Sequence, residues 1–222
     1  MLLSVNTFIS LDGVMQGPGA PDEDTTDGFD RGGWLVPLVT DASDEVVNGW
    51  FRRAEAILLG RRTFEMMRTY WSQVTDPDDL VATALNTWPK YVASDTLSDE
   101  DAAWGPTTVL RGDVVEQVRA LKQQGSSDGE LQIHGSWRLA RTLHDAGLVD
   151  VVRLLQFPVV VGAGKRLFPE DAAPAGYTAV SDECMVLPNG TVSLALRASS
   201  VGAVDAGAYL VDGGQRIEGV DG

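Results

Sequence analysis

Ala56-Ile57-Leu58-Leu59-Gly60-Arg61-Arg62-Thr63 decides the fold: four apolar residues run straight into a glycine, two guanidinium groups and a hydroxyl. The apolar four read as a short buried strand, and residues 64–71 carry helical spacing. A second stretch repeats the order. Leu131-Gln132-Ile133-His134 alternates as a strand, Gly135-Ser136 turns the chain, and residues 137–146 read as a helix stopped by Gly147. In such units the loop at the strand's carboxyl end opens onto a helix N-terminus, whose unpaired amides and dipole favour an anion. Two such cradles suit a ligand with several phosphates, although both are also read as ordinary glycine turns.

Working outward, residues 2–10 form a β-rich run that ends at Asp12-Gly13. Residues 14–40 are rich in Gly, Pro and Asp, a long loop of the kind that is functional or disordered. Ser43 or Asp41 caps a helix with Val46, Val47, Trp50, Phe51 and Ala54 on one face. Residues 91–94 and 107–110 read as strands, and Asp113 caps a helix ending near Gly125. Residues 149–161 read as one long, or one bent, central strand. Pro188-Asn189-Gly190 closes an antiparallel hairpin, so the sheet is mixed. In the Gly-rich tail, residues 208–211 read as an added edge strand and residues 213–222 as frayed.

Composition bounds the function. The chain has 222 residues, enough for one core without disulfide or metal support. With 17 basic against 32 acidic residues, its net charge of −15 argues against nucleic acid and anionic membrane as partners. One cysteine, Cys184, reads as a small strand filler in a reducing compartment. No metal site is expected from two histidines and one cysteine. Without a basic and apolar leader or a spanning run, the expectation is a cytoplasmic protein. No G-x-G-x-x-G follows the first strand, and Gly162-Ala163-Gly164-Lys165 lacks Walker spacing, so it reads as a turn with a solvated lysine.

These residues together resemble the dihydrofolate-reductase-like family that includes the C-terminal reductase domain of the bifunctional riboflavin-biosynthesis enzyme. The matching stretches are Ser10-Leu11-Asp12-Gly13, Leu59 to Glu65, Tyr70-Trp71, Lys90 to Leu97, Gly135 to Arg141, Gly147 to Asp150, and Pro158 to Phe168. The resemblance implies a three-layer α/β fold over residues 1–197, with a mixed, mainly parallel sheet, flanking helices and a C-terminal antiparallel hairpin. Residues 198–222 are then a Gly-rich extension. It also implies NADPH as cofactor, with NADH not excluded, and a pteridine or ribosylamino-pyrimidine-like heterocycle as substrate. Relatives often pair as homodimers.

Carried over by position, Arg61, Arg62 and Thr63 hold the adenosine-side phosphates, Ser94 the 2′-phosphate region, and Gly135 and Ser136 the pyrophosphate. Asp12 and Gly13 border the nicotinamide, and Gly60 opens the first cradle. Asp95 stands where many relatives carry a basic residue, a position at which a carboxylate repels a 2′-phosphate. Val151 replaces a frequent acid after Asp150.

Reduction of a C=N or C=O bond also needs a proton, and a carboxylic acid early in the first helix is the expected source. Asp44 is the first candidate, with Asp41 and Glu45 competing as donors and all three equally read as dipole partners; Asp12 joins them as a candidate catalytic acid. Trp34, Trp50 and Phe51 offer rings for stacking, the latter two also as core. His134 reads as a donor beside the pyrophosphate or as a hydrogen-bonded, half-buried histidine. The competing functional readings are a nucleotide- or flavin-binding module without turnover and a purely structural subunit.

Overall fold

A computed structural model describes residues 1–204, 207–212 and 215–220. Its centre is a nine-stranded sheet. Five parallel strands form one side: β1 (Leu2–Ser10), β2 (Ala54–Gly60), β3 (Lys90–Ala93), β4 (Thr107–Leu110) and β5 (Glu130–His134). Next come β6 (Val151–Phe157), parallel to β1, and the antiparallel set β7 (Ala175–Ala179), β8 (Met185–Val186) and β9 (Val192–Val201). The order β4-β3-β2-β5-β1-β6-β9-β7 places β5 between β2 and β1. The helices are α1 (Asp41–Phe51), α2 (Arg61–Trp71), α3 (Leu80–Thr87), α4 (Val114–Gln124) and α5 (Trp137–Asp145).

Period-two alternation sends each strand's side chains to two cores. Ala56 and Leu58 of β2 pack with Val118 of α4 and Leu139 and Leu143 of α5 on one face. Ile57 and Leu59 pack with Phe51, Phe64 and Leu85 of α1, α2 and α3 on the other. The result is the expected three-layer, dihydrofolate-reductase-like architecture. In the middle of the sheet the second face changes character. Ser4 and Asn6 of β1, Glu130, Gln132 and His134 of β5, and Arg153 of β6 are all buried there.

Several elements differ from the sequence reading. Thr40 caps α1, in a reciprocal box with Ser43, because its hydroxyl accepts from the Ser43 amide at 3.3 Å. The apolar run 149–161 is divided: Pro158 cannot extend the ladder, so β6 ends at Phe157 and residues 158–168 form a loop. Strand β6 is buried between β1 and β9, whereas Val160 in the loop that follows is exposed. Helix α3 and strand β7 were not foreseen.

The hairpin at Gly190 (φ +84°) forms as read. Strand β9 runs past residue 197 to Val201. Residues 208–211 lie in a strand, β10 (Gly207–Asp212), but it pairs with β11 (Gln215–Val220) in a separate two-stranded sheet. The expected edge strand and fray are thus corrected over these residues, since each strand finds its ladder partner in the other; residues 213, 214, 221 and 222 lie outside the described part. No helix among the described residues is long and apolar enough to cross a membrane.

Candidate active site

Each helix start is decided by what satisfies its first amides. Thr40, Asp79 and Asp113 cap α1, α3 and α4 with side-chain oxygens. The two helices that lack such a cap are α2, which begins at Gly60-Arg61, and α5, whose preceding residue Ser136 is left-handed at φ 57°. These two uncapped starts are neighbours, because β2 and β5 are paired parallel strands. They touch: the Gly60 amide donates to Ser136 Oγ at 2.9 Å, and a Cβ on Gly135 would lie 3.6 Å from Thr63 Cγ2. Gly135 itself has φ +58°, a conformation glycine adopts without Cβ strain.

Sheet order lines up the remaining pieces. Along the carboxyl edge stand, in turn, Ser94 after β3, Gly60 to Thr63 after β2, Gly135-Ser136 after β5, and Asp12-Gly13 after β1. The turns after β3, β2 and β5 lie level and span two strand spacings, roughly 10 Å, whereas Asp12-Gly13 stands several residues further along the strand axis, because β1 runs on past the Asn6↔His134 pair. At the row's β3 end Arg61 donates from Nε to Glu65 at 2.8 Å and from its terminal nitrogen to Thr96 Oγ1 at 2.5 Å. Arg62 is exposed and forms no ion pair or hydrogen bond among the described residues. Ser94 Oγ accepts from the amides of Thr96 and Leu97 at 3.2 and 3.0 Å, which leaves its own proton to give. Asp95 turns to the Gly112 amide at 2.6 Å and so closes the β4–α4 turn. Arg111, not singled out from sequence, reaches Leu97 O at 2.7 Å and adds a third guanidinium at that end.

Asp12 is placed at the β1 end, where its hydrogen bonds favour the ionised carboxylate over the acid form that a proton donor needs. Burial opposes its charge, yet hydrogen bonds from Ser10 Oγ and the amides of Val161 and Gly162 outweigh that and lower its pKa to about 2. At 2.7, 3.0 and 2.9 Å these bonds clamp the end of β1 to the loop at residues 159–167. Lys165 also departs from expectation. Far from being solvated, its ammonium is 2.7 Å from Asp24, which ties the same loop to residues 16–26. Trp34 donates from Nε1 to Gln16 O at 3.0 Å and meets Phe157 edge-on, while Trp50 is core.

Asp44 lies exposed on α1, and its proton affinity is raised by desolvation, then by Asp41 and by Asp79 at the start of α3. Among the described residues its carboxylate accepts no hydrogen bond, and the placement is the α1–α3 side. His134 ends β5 directly before the Gly135 turn, stacked on Phe51 with ring centroids 4.4 Å apart. Desolvation lowers its pKa to about 3, so it is neutral at physiological pH. It is therefore the hydrogen-bonded buried histidine of the two readings.

A mainly parallel sheet with helices on both faces, and two neighbouring uncapped helix starts at its carboxyl edge, is the dihydrofolate-reductase-like fold. Within that class the chain belongs to the family of the RibD C-terminal domain, whose family model matches residues 2–193. An uncharacterized protein of Bacillus subtilis (strain 168), YyaP, is 31% identical over 152 residues, 65% of this chain and 76% of that protein. A pyrimidine reductase-like protein from Corynebacterium diphtheriae superposes with a TM-score of 0.58 at 13% identity, covering 90% of this chain and 92% of that one. Dihydrofolate reductase from Enterococcus faecalis complexed with NADP(H) gives 0.51 at 15% identity, covering 90% and 97%. These two structural likenesses concern the fold.

Proposed function

We propose that the chain is an NADPH-dependent reductase that passes a hydride to a small pteridine or ribosylamino-pyrimidine-like heterocycle, with NADH as the competing cofactor. The observation that carries this reading is the hydrogen bond joining Gly60 to Ser136, which makes one seat of two uncapped helix starts. The residues present fit a dinucleotide. Glycines stand where a side chain would narrow the seat, Arg62 is free to meet a phosphate, and Arg61, Ser94 and Arg111 gather at the end suited to a 2′-phosphate. Asp95 is held away by Gly112, which eases the repulsion its charge would cause.

When bound, the nicotinamide supplies the hydride. The protein's work is to position and to exclude water. Asp12 fixes the end of β1 through the loop at 159–167, and Gln16, Lys165 and Asp24 hold the long loop against it. Asp44, whose proton affinity is raised, is the proposed proton source through water.

The test is to add NADPH and a panel of pterins and deaminated pyrimidines and follow absorbance at 340 nm. The expected outcome is a rise in Tm with NADPH and oxidation by at least one ring. Failure of both NADPH and NADH to bind at millimolar concentration rejects the reading. A nucleotide- or flavin-binding module without turnover is the second reading, favoured by the locked, ionised state of Asp12. It predicts protection by dinucleotide with no oxidation.

A further inference from the structure

Beneath the second half of α5 lies a partly enclosed recess, walled by Val5 of β1, Ala140 and His144 of α5, Val152 of β6, and Leu167 and Phe168 of the loop that follows β6. It measures about 290 Å³ out to its opening, of which about 10 Å³ is free for a body of water's size. His144 stands eight residues beyond Ser136, roughly 12 Å down α5 from the dinucleotide seat. A hydroxyl-sized group enters this recess as the chain stands. A ring follows when Phe168, the wall that is 43% exposed, turns outward.

Hydrogen bonding fixes what the recess offers. The His144 side chain is buried at 5% exposure, and its Nδ1 lies 3.1 Å from Asp145 Oδ1, which also accepts from the Ala173 amide at 3.2 Å. A carboxylate can only accept, so the neutral imidazole carries its proton on Nδ1 and Nε2 is a lone pair. Among the described residues that lone pair has no partner, and neither has the buried Tyr177 Oη. The rings of His144, Phe168 and Tyr177 form one cluster, with centroids 5.2, 6.4 and 6.3 Å apart. Arg141, the charged group of the lining, is taken up by Asp171 at 2.6 Å and Asp145 at 3.5 Å. What remains is an apolar, uncharged space with His144 Nε2 as its unspent acceptor.

We propose that this recess is a second binding site, which takes a small neutral aromatic alcohol with its hydroxyl donating to His144 Nε2 and its ring against Phe168. A hydroxyl suits both unpartnered atoms, since it holds a proton for Nε2 and lone pairs for the proton of Tyr177. The apolar walls and the ring cluster favour an aromatic body. An anion finds no free cation in the lining, and a ring without a donor leaves the buried acceptor unpaired. The site stands whether or not the chain is a reductase.

The chain has two histidines, so long-range proton–nitrogen spectra of the imidazoles follow His144 directly, with His144→Leu giving the assignment. Phenol and toluene, matched in shape and differing in the one donor, are titrated into the full chain to millimolar concentration, with and without NADPH. Phenol is expected to shift His144 Nε2 saturably, and its affinity relative to toluene to fall about 10-fold in His144→Leu. The shift should persist with NADPH present, because the recess lies apart from the dinucleotide seat. No saturable shift at His144, a shift at His134 instead, an unchanged phenol-to-toluene ratio in a folded His144→Leu protein, or displacement of phenol by NADPH overturns the proposal. If His144→Leu does not fold, Ala140→Leu, which fills the recess from α5, decides: loss of phenol binding supports the site, and binding that survives overturns it.

Discussion

Lys90, the first residue of β3, is 1% exposed and has no carboxylate partner among the described residues. Its ammonium reaches Trp88 O at 3.3 Å and lies 4.9 Å over the Trp104 ring, partial compensation for lost water. Burial lowers its pKa from 10.5 to about 8. Between those values the unfolded chain holds the proton and the folded one releases it, so stability rises with pH across that window. At pH 7 the fold carries a cost on the order of 3 kcal/mol. Lys90→Met should therefore raise Tm at pH 7 by about 5 °C, an advantage that shrinks toward pH 10.5. A drop in Tm with no pH dependence in calorimetry refutes this account. Asp12, whose pKa is also lowered, contributes stabilisation at neutral pH where Lys90 contributes a cost. Its stabilisation is complete above the unfolded value of 3.8 and is lost as pH falls through about 2. Asp12→Asn should cost about 1–3 kcal/mol in urea titrations at pH 7. Asp12 was legible as a special residue but not as a clamp, because its partners Val161 and Gly162 are some 150 positions away.

At the scale of elements, the difference between capped and uncapped helices separates structure from function. Where a hydroxyl or carboxylate closes the start, as at Thr40, Asp79 and Asp113, the amides are satisfied within the chain. Where glycine or a left-handed serine stands, no side chain caps them, and it is there that the proposed dinucleotide seat lies. Gly135→Ala places a Cβ at φ +58° and toward Thr63, so it should weaken NADPH about 10-fold while far-UV dichroism is unchanged. Arg62→Ala should raise KM for NADPH by about 10-fold with kcat nearly intact, since it removes binding shared by ground and transition states. An unchanged KM excludes the phosphate role of Arg62. Both turns were readable, because strand, glycine and helix follow one another locally. Helix α3 was missed because its short apolar stretch follows the Asp-Pro-Asp-Asp run at 76–79, and β7 because Ala175–Ala179 has no alternation until β9 pairs with it. The buried polar seam of β1 and β5 left only a faint trace, polar residues at alternate positions of buried strands.

At the scale of the molecule, what no local pattern showed is strand order. Placing β5 between β2 and β1 makes one groove from two separate turns and runs a polar seam from Arg153 to His134 through the core. The same molecule carries a net charge of −15, while its proposed ligand is itself an anion. Two fields then act on an approaching NADPH. The distant acidic surface repels it over a range that salt shortens, about 30 Å at 0.01 M and 8 Å at 0.15 M ionic strength. Arg62, Arg61 and the open amides attract it at contact distance, where screening is weaker. Raising ionic strength should therefore remove more repulsion than attraction during encounter. The stopped-flow association rate of NADPH should rise about 2–3-fold between 10 and 150 mM salt, against the fall typical of a basic cleft. In Arg61→Ala/Arg62→Ala the rise should steepen, because the short-range attraction has gone and only the field of the acidic surface is left to screen. A rate that falls with salt in the wild-type protein would mean that the cradle's local charge governs approach, and that the acidic surface faces away from the entrance.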